Sequence, residues 1–114
     1  MAGQRARRVA RQVLREISTI VEHELGDPRL AAVTLTSARM TDDLRHLTIR
    51  YSCLGTADAL EAAGQALAGS SGRLRRQVTR QLRLRFAPAI KFEADESLEQ
   101  ADRIERLLAR SNRD

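Results

Sequence analysis

From Gly69 to Phe92 the chain reads GSSGRLRRQVTRQLRLRFAPAIKF, and this stretch decides the fold expected of it. It carries seven cations, Arg73, Arg75, Arg76, Arg80, Arg83, Arg85 and Lys91, and no acid. Leu74, Val78 and Leu82 recur at helical steps and, at about 100° per residue, fall on an arc roughly opposite Arg73, Arg76, Arg80 and Arg83. The spacing predicts a helix over 71–84 with one core face and one cationic face. Gly69-Ser70-Ser71-Gly72 opens it with side chains small enough for a phosphate backbone to come close, and a helix start offers free N–H groups to an anion. Like charges at Arg76, Arg80 and Arg83 oppose an isolated helix, and no acid in the segment offsets them. A polyanionic partner would, and nucleic acid is the expected one. Pro88 ends the helical region, after which Ile90, Phe92 and Ala94 alternate with Lys91, Glu93 and Asp95 as a strand does.

Upstream of this stretch, Thr56 is placed to cap a helix running to about Ala68, with Ala59, Leu60, Ala63, Ala66 and Leu67 as its buried side. Before it, Leu47, Ile49, Tyr51 and Cys53 alternate with Thr48, Arg50 and Ser52, the pattern of a half-buried strand. In the preceding strand Val33 and Leu35 share one parity while Ala38 and Met40 take the other, so a β-bulge near Thr36 and Ser37 is needed to restore a single buried face. Thr41-Asp42-Asp43 suits the tight connection of an antiparallel hairpin. The chain opens with a long amphipathic helix, from Arg5 to Leu25, carrying Val9, Val13, Ile17, Ile20 and Val21 at helical spacing and stopped by Gly26-Asp27-Pro28.

Downstream, Ser97-Leu98-Glu99-Gln100 matches a capping box for a last helix over about 97–110, its apolar side formed by Leu98, Ala101, Ile104, Leu107 and Leu108. The expected order is helix, strand, strand, helix, corner, helix, strand, helix, an α+β domain spanning 1–114 with a core over about 5–96. A helix, a Gly-x-x-Gly corner and a basic helix beside a strand is the arrangement by which KH domains clamp a single-stranded backbone.

Composition narrows the classes further. The 114 residues fit one domain, 42% hydrophobic content supports a modest core, and 3% aromatic content makes that core aliphatic. Net charge is +5, almost all of it arginine. One cysteine, Cys53, excludes an internal disulfide and any multi-cysteine zinc site. With no long apolar run and no signal-peptide stretch, a soluble cytoplasmic protein without a membrane partner is expected, and nothing demands more than a monomer.

Arg5, Arg8 and Arg11 place positive charge at a helix N-terminus, against the helix dipole, so a second RNA contact explains them better than helix stability does. The candidate RNA-binding set is therefore Ser70, Ser71, Gly72, Arg73, Arg76, Arg80, Arg83, Arg85 and Lys91, with Arg5, Arg8 and Arg11 extending the footprint. With so few aromatics, base stacking contributes little and affinity is expected to be mostly electrostatic. Asp42, Asp43 and His46 are the only acid/base or metal cluster to weigh, and hairpin turns attract Asp for local hydrogen bonds alone. Cys53 reads as a small buried hydrophobe. No catalytic residue, metal or cofactor is expected.

Several short stretches together resemble the bacterial ribosome-binding factor A family across nearly the whole chain. They are Arg8-Val9-Ala10, Asp27-Pro28-Arg29-Leu30, Met40-Thr41-Asp42-Asp43-Leu44, Ser71-Gly72, Leu82-Arg83-Leu84-Arg85-Phe86-Ala87-Pro88 and Asp95-Glu96-Ser97. The resemblance implies a type II KH domain with an additional C-terminal helix, and a non-enzymatic ribosome assembly factor. Such a factor binds the immature 30S small subunit, assists late maturation of 16S rRNA, has a role in cold adaptation and works alongside assembly GTPases. The family usually has Ala-x-Gly at the corner between the two helices. Here Ser70 takes the alanine's place, which shifts the functional weight from Gly69 to Ser70-Ser71-Gly72 and implies a kink between helices in place of a loop. The alternative reading from the residues is a general single-stranded RNA- or DNA-binding protein without ribosomal specificity.

Overall fold

The computed structural model describes residues 3–95 and Leu108. Its first helix, α1 (Gln4–His23), buries Val9, Val13, Ile17, Ile20 and Val21 along one side, as their spacing requires. It ends two residues before Leu25. The chain reverses at Gly26, whose φ of 63° lies in the left-handed region that a residue without Cβ enters freely. Asp27 then caps a short 3-10 turn, Pro28–Leu30, by accepting the Arg29 N–H at 2.9 Å and pairing with the Arg29 guanidinium at 2.7 Å. That turn drops Leu30 into the core.

Strands β1 (Val33–Met40) and β2 (His46–Cys53) form the antiparallel hairpin. Leu35 pairs with Tyr51 and Ser37 with Arg50, which leaves Thr36 as the extra residue of a bulge. The bulge is what the parity slip demanded: Val33 and Leu35 before it and Ala38 and Met40 after it all pack toward the core. Strand β3 (Ala89–Ala94) joins β2 in parallel, giving the sheet order β1-β2-β3. A parallel neighbour cannot be reached by a tight turn, and the crossover is made by α2 (Ala57–Gly69) and α3 (Ser71–Gln81). Thr56 caps α2, its hydroxyl accepting the Ala59 N–H at 3.1 Å.

The helices cover one face of the sheet. Leu47, Ile49 and Tyr51 of β2, with Ile90 and Phe92 of β3 beside them, meet Ala66 and Leu67 of α2 and Leu74 and Val78 of α3. The core is aliphatic, and no polar or charged residue is buried among the described residues. Thr48, Arg50, Lys91 and Glu93, on the alternate parity, point to the uncovered face. The order α-β-β-α-α-β around a mixed three-stranded sheet is the type II KH arrangement, and the fold class is α+β as expected. The C-terminal helix expected over 97–110 lies outside the described residues apart from Leu108.

Three local readings change. Helix α3 stops at Gln81, not Leu84. The Leu84 N–H reaches back to the Thr79 carbonyl at 3.0 Å and the Arg83 N–H to Arg80 at 3.3 Å, a Schellman closure that puts Arg83 in the left-handed region at φ 52°. Cys53 is only half-buried, because it sits at the last position of β2, where the helical cover thins. Ala59 and Leu60 are likewise half-buried, so α2 buries mainly Ala63, Ala66 and Leu67.

Candidate nucleic-acid interface

Helices α2 and α3 meet at one residue. Ser70 is both the C-cap of α2 and the N-cap of α3, at φ −94° and ψ −2°, with its N–H returned to the Ala66 and Leu67 carbonyls at 3.1 Å. The corner is a kink with no loop. The first rung of α3 runs from the Leu74 N–H to the Ser70 carbonyl at 3.0 Å, so the N–H groups of Ser71, Gly72 and Arg73 stand ahead of the ladder, as an anion site needs. Neither glycine of the tetrad has a left-handed φ. A Cβ on Gly69 would meet nothing within 4 Å, whereas one on Gly72 would lie 3.5 Å from Nη1 of Arg76. Gly72 is thus the glycine that lies against the Arg76 guanidinium, and Gly69 is a helix residue with no steric demand.

Arg73, Arg76 and Arg80 are exposed on α3, opposite buried Leu74 and Val78. Nε of Arg73 donates to Oε1 of Gln77 at 3.2 Å, and Nε2 of Gln77 donates in turn to Oε2 of Glu24 at 3.1 Å. Arg75 is different. Its Nε donates to the Pro88 carbonyl at 2.9 Å and its Nη2 to the Ala87 carbonyl at 3.2 Å, so it ties α3 to the approach to β3. Arg83 has left the helical stripe, since α3 ends before it. Lys91 has left the neighbourhood of the kink: it falls on the open face of the sheet and pairs with Glu93 at 3.2 Å. Among the described residues none of Arg5, Arg8, Arg11, Arg73, Arg76, Arg80, Arg83 or Arg85 forms an ion pair.

Helix α1 runs antiparallel to α3. Glu24, at its end, meets Gln77, while Arg5 and Val9, near its start, line a hollow with Leu82, Arg83, Leu84, Arg85 and Phe86. The kink and the N-terminal arginines therefore mark opposite ends of one helical layer, with the α3 cations between them. Arg8 and Arg11 are exposed on the outer side of α1. The hairpin acids are engaged in local hydrogen bonds. Oδ1 of Asp43 accepts the Thr41 hydroxyl at 2.6 Å and the Arg45 N–H at 3.1 Å, which hold its carboxyl below the ordinary range, and Oδ1 of Asp42 accepts the Gly3 N–H at 2.6 Å. No group of three metal-ligating side chains occurs among the described residues.

The family model for ribosome-binding factor A matches residues 5–108. The chain belongs to the ribosome-binding factor A family. It is 38% identical over 104 residues to ribosome-binding factor A of Geobacter sulfurreducens, covering 91% of this chain and 88% of the relative. The crystal structure of ribosome-binding factor A from Thermus thermophilus shares the fold with a TM-score of 0.70, at 25% identity over 78% of this chain and 94% of that one. A homology model of the Thermus thermophilus factor, fitted into the cryo-EM map of a 30S complex of that protein, shares it with a TM-score of 0.66 at 24% identity, covering 80% of this chain and 96% of that one.

Sequence reasoning missed two features of the basic layer. The tether from Arg75 depends on where the chain before Pro88 returns, a long-range fact with no local signature. The second is Phe86, 48% exposed, with the guanidinium carbon of Arg45 at 4.6 Å and that of Arg85 at 5.4 Å from its ring centroid. An aromatic beside an arginine just ahead of a proline was the available hint for Arg85, whereas Arg45 is brought in by the hairpin turn.

Proposed function

We propose that this protein is a ribosome assembly factor that binds the immature 30S small subunit and assists late maturation of 16S rRNA, with a role in cold adaptation. The observation that carries the reading is family membership over residues 5–108 joined to a helical layer whose arginines lack acidic partners among the described residues. The Thermus thermophilus factor has been placed in a 30S complex, and we carry that partner to this chain. The kink at Ser70, Ser71 and Gly72 takes a phosphate on the start of α3, Arg73, Arg76 and Arg80 follow the backbone, and Arg83, Arg85, Arg5, Arg8 and Arg11 extend the contact toward the far end of α1. Lys91, on the opposite side of the sheet, serves a separate contact in this scheme. The protein acts by binding, without catalysis, as a cytoplasmic monomer alongside assembly GTPases.

Sedimentation of cell extract with detection of this protein tests the reading. It is expected in the fractions of the free small subunit, enriched on immature particles. Absence from those fractions overturns it. The unpaired cationic layer also favours a general coat for single-stranded nucleic acid, and competition separates the two: bulk RNA at moderate salt displaces a coat protein from immature subunits but not an assembly factor.

A further inference from the structure

Beyond the end of α3, the hairpin turn and the segment leading to Pro88 enclose a hollow of about 420 Å³. Its lining is unlike the rest of the basic layer. Asp42 and Asp43 bring carboxylates whose Oδ1 atoms already accept hydrogen bonds within the protein, Arg5, Arg83 and Arg85 bring guanidiniums, and Phe86 brings a half-exposed ring already in contact with Arg45 and Arg85. Asp42 and Asp43 set one side of the hollow against a bare phosphate or an acidic peptide, while Arg5, Arg83 and Arg85 favour negative charge on the other. The occupant must offer hydrogen-bond donors to the carboxylates, a flat face to the ring and negative charge to the arginines. A nucleotide with an amino-bearing base meets all three requirements at once.

The walls are also held in place at a cost. Leu44 at φ 61° and Arg83 at φ 52° are the only non-glycine residues with left-handed backbone among those described, and both line this hollow. Each is fixed by a turn: the Leu44 N–H bonds to the Thr41 carbonyl at 2.9 Å, and Arg83 closes α3.

Resting on the RNA-binding reading above, we propose that this hollow takes one unstacked RNA base carrying an exocyclic amino group, which displaces the more distant Arg85 guanidinium from the Phe86 ring and stacks in its place, with Oδ2 of Asp42 and of Asp43 accepting from the base and Arg5 and Arg83 holding its phosphate. Adenine, cytosine and guanine offer the two carboxylates an amino group with two N–H donors, whereas uracil offers only its single N3–H and is held less well. It adds base selection to an interface that is otherwise electrostatic.

The test is fluorescence anisotropy of the full chain with labelled short homopolymers of A, C and U, repeated across a salt series. The wild type is expected to bind the A and C strands several-fold more tightly than U. Phe86→Ala should weaken binding to A and C by about tenfold, the lower part of the range for one base–aromatic stack, and leave the salt slope unchanged. Phe86→Tyr should restore it. Asp42→Asn with Asp43→Asn should erase the preference over U, and circular dichroism checks that each variant is folded. Equal affinity for all three strands, or a folded Phe86→Ala that binds A and C as the wild type does, overturns the proposal. The broader reading fails separately, by an absence of salt-dependent binding to any strand.

Discussion

The hydroxyl of Tyr51 fills the space that a side chain at Gly64 would need. A Cβ built on Gly64 meets Oη of Tyr51 closer than real Cβ atoms come, and Tyr51 is 7% exposed and packed in the core. Gly64→Ala should therefore destabilise the protein even though alanine is worth about 1 kcal/mol over glycine in a helix. Overpacking costs typically ~1–3 kcal/mol, and the ring has little room to yield. Adding Tyr51→Phe, which removes the obstructing oxygen, should recover most of the loss. Urea denaturation of the two variants checks both statements.

Arg75 and Arg80 lie on one helix and should fail differently. Arg75→Ala removes donors to the Ala87 and Pro88 carbonyls and should cost roughly 1–2 kcal/mol in stability, with little change in the salt dependence of RNA binding. Arg80→Ala should leave stability nearly unchanged. If the layer neutralises about five phosphates, log affinity for single-stranded RNA falls with log salt at a slope of roughly 3.5, and Arg80→Ala lowers that slope by about 0.7. Denaturation and a salt titration of each variant give the two readouts.

Arg83 closes α3 in a conformation that costs a residue with a Cβ roughly 1–2 kcal/mol. Arg83→Gly should relieve it and raise stability by about 0.5–1 kcal/mol, less than the full strain because glycine loses more freedom on folding. RNA affinity should fall in the same variant. A gain in thermal midpoint together with a loss of binding is the signature to look for.

The Asp43 carboxyl is held below its ordinary value of 3.8, first by the Thr41 hydroxyl and then by the Arg45 N–H, against a small opposing effect of desolvation. A depressed folded value means that its contribution is fully present above pH 3.8 and is lost as the pH falls through the lower folded value. Asp27 follows the same rule through Arg29. Asp43→Asn should thus be less stable than the wild type at neutral pH and show a flatter decline in acid. Thermal melts across the acid range check this.

The fold is legible in the residues because its strongest signals are periodic and local. The parity slip around Thr36 locates the bulge, and the spacing of Leu74 and Val78 locates the core face of α3. The same spacing carries the expected helix on to Leu84, because Leu82 continues it. The closure at Arg83 uses a left-handed residue, and nothing in an arginine announces that conformation. The candidate site is legible as a set of charges more than as a set of places. Parity alone puts Lys91 opposite the helices, whereas its closeness in sequence to the basic helix suggests a shared groove. Arg75 sits beside Arg76 in the chain, yet only the return of Ala87 and Pro88 shows that its guanidinium is already engaged.

Because Ser70 alone serves both helices, the connection has no slack. Inserting or deleting a single residue there would turn every guanidinium on α3 by about 100° relative to α2 and the sheet. The cations would stay on the helix, but they would lose phase with those of α1, and Leu74 and Val78 would rotate out of the core. The length of this joint therefore fixes where the α3 charges point as firmly as the residues themselves fix their number, and substitutions should be tolerated at it far better than changes in length.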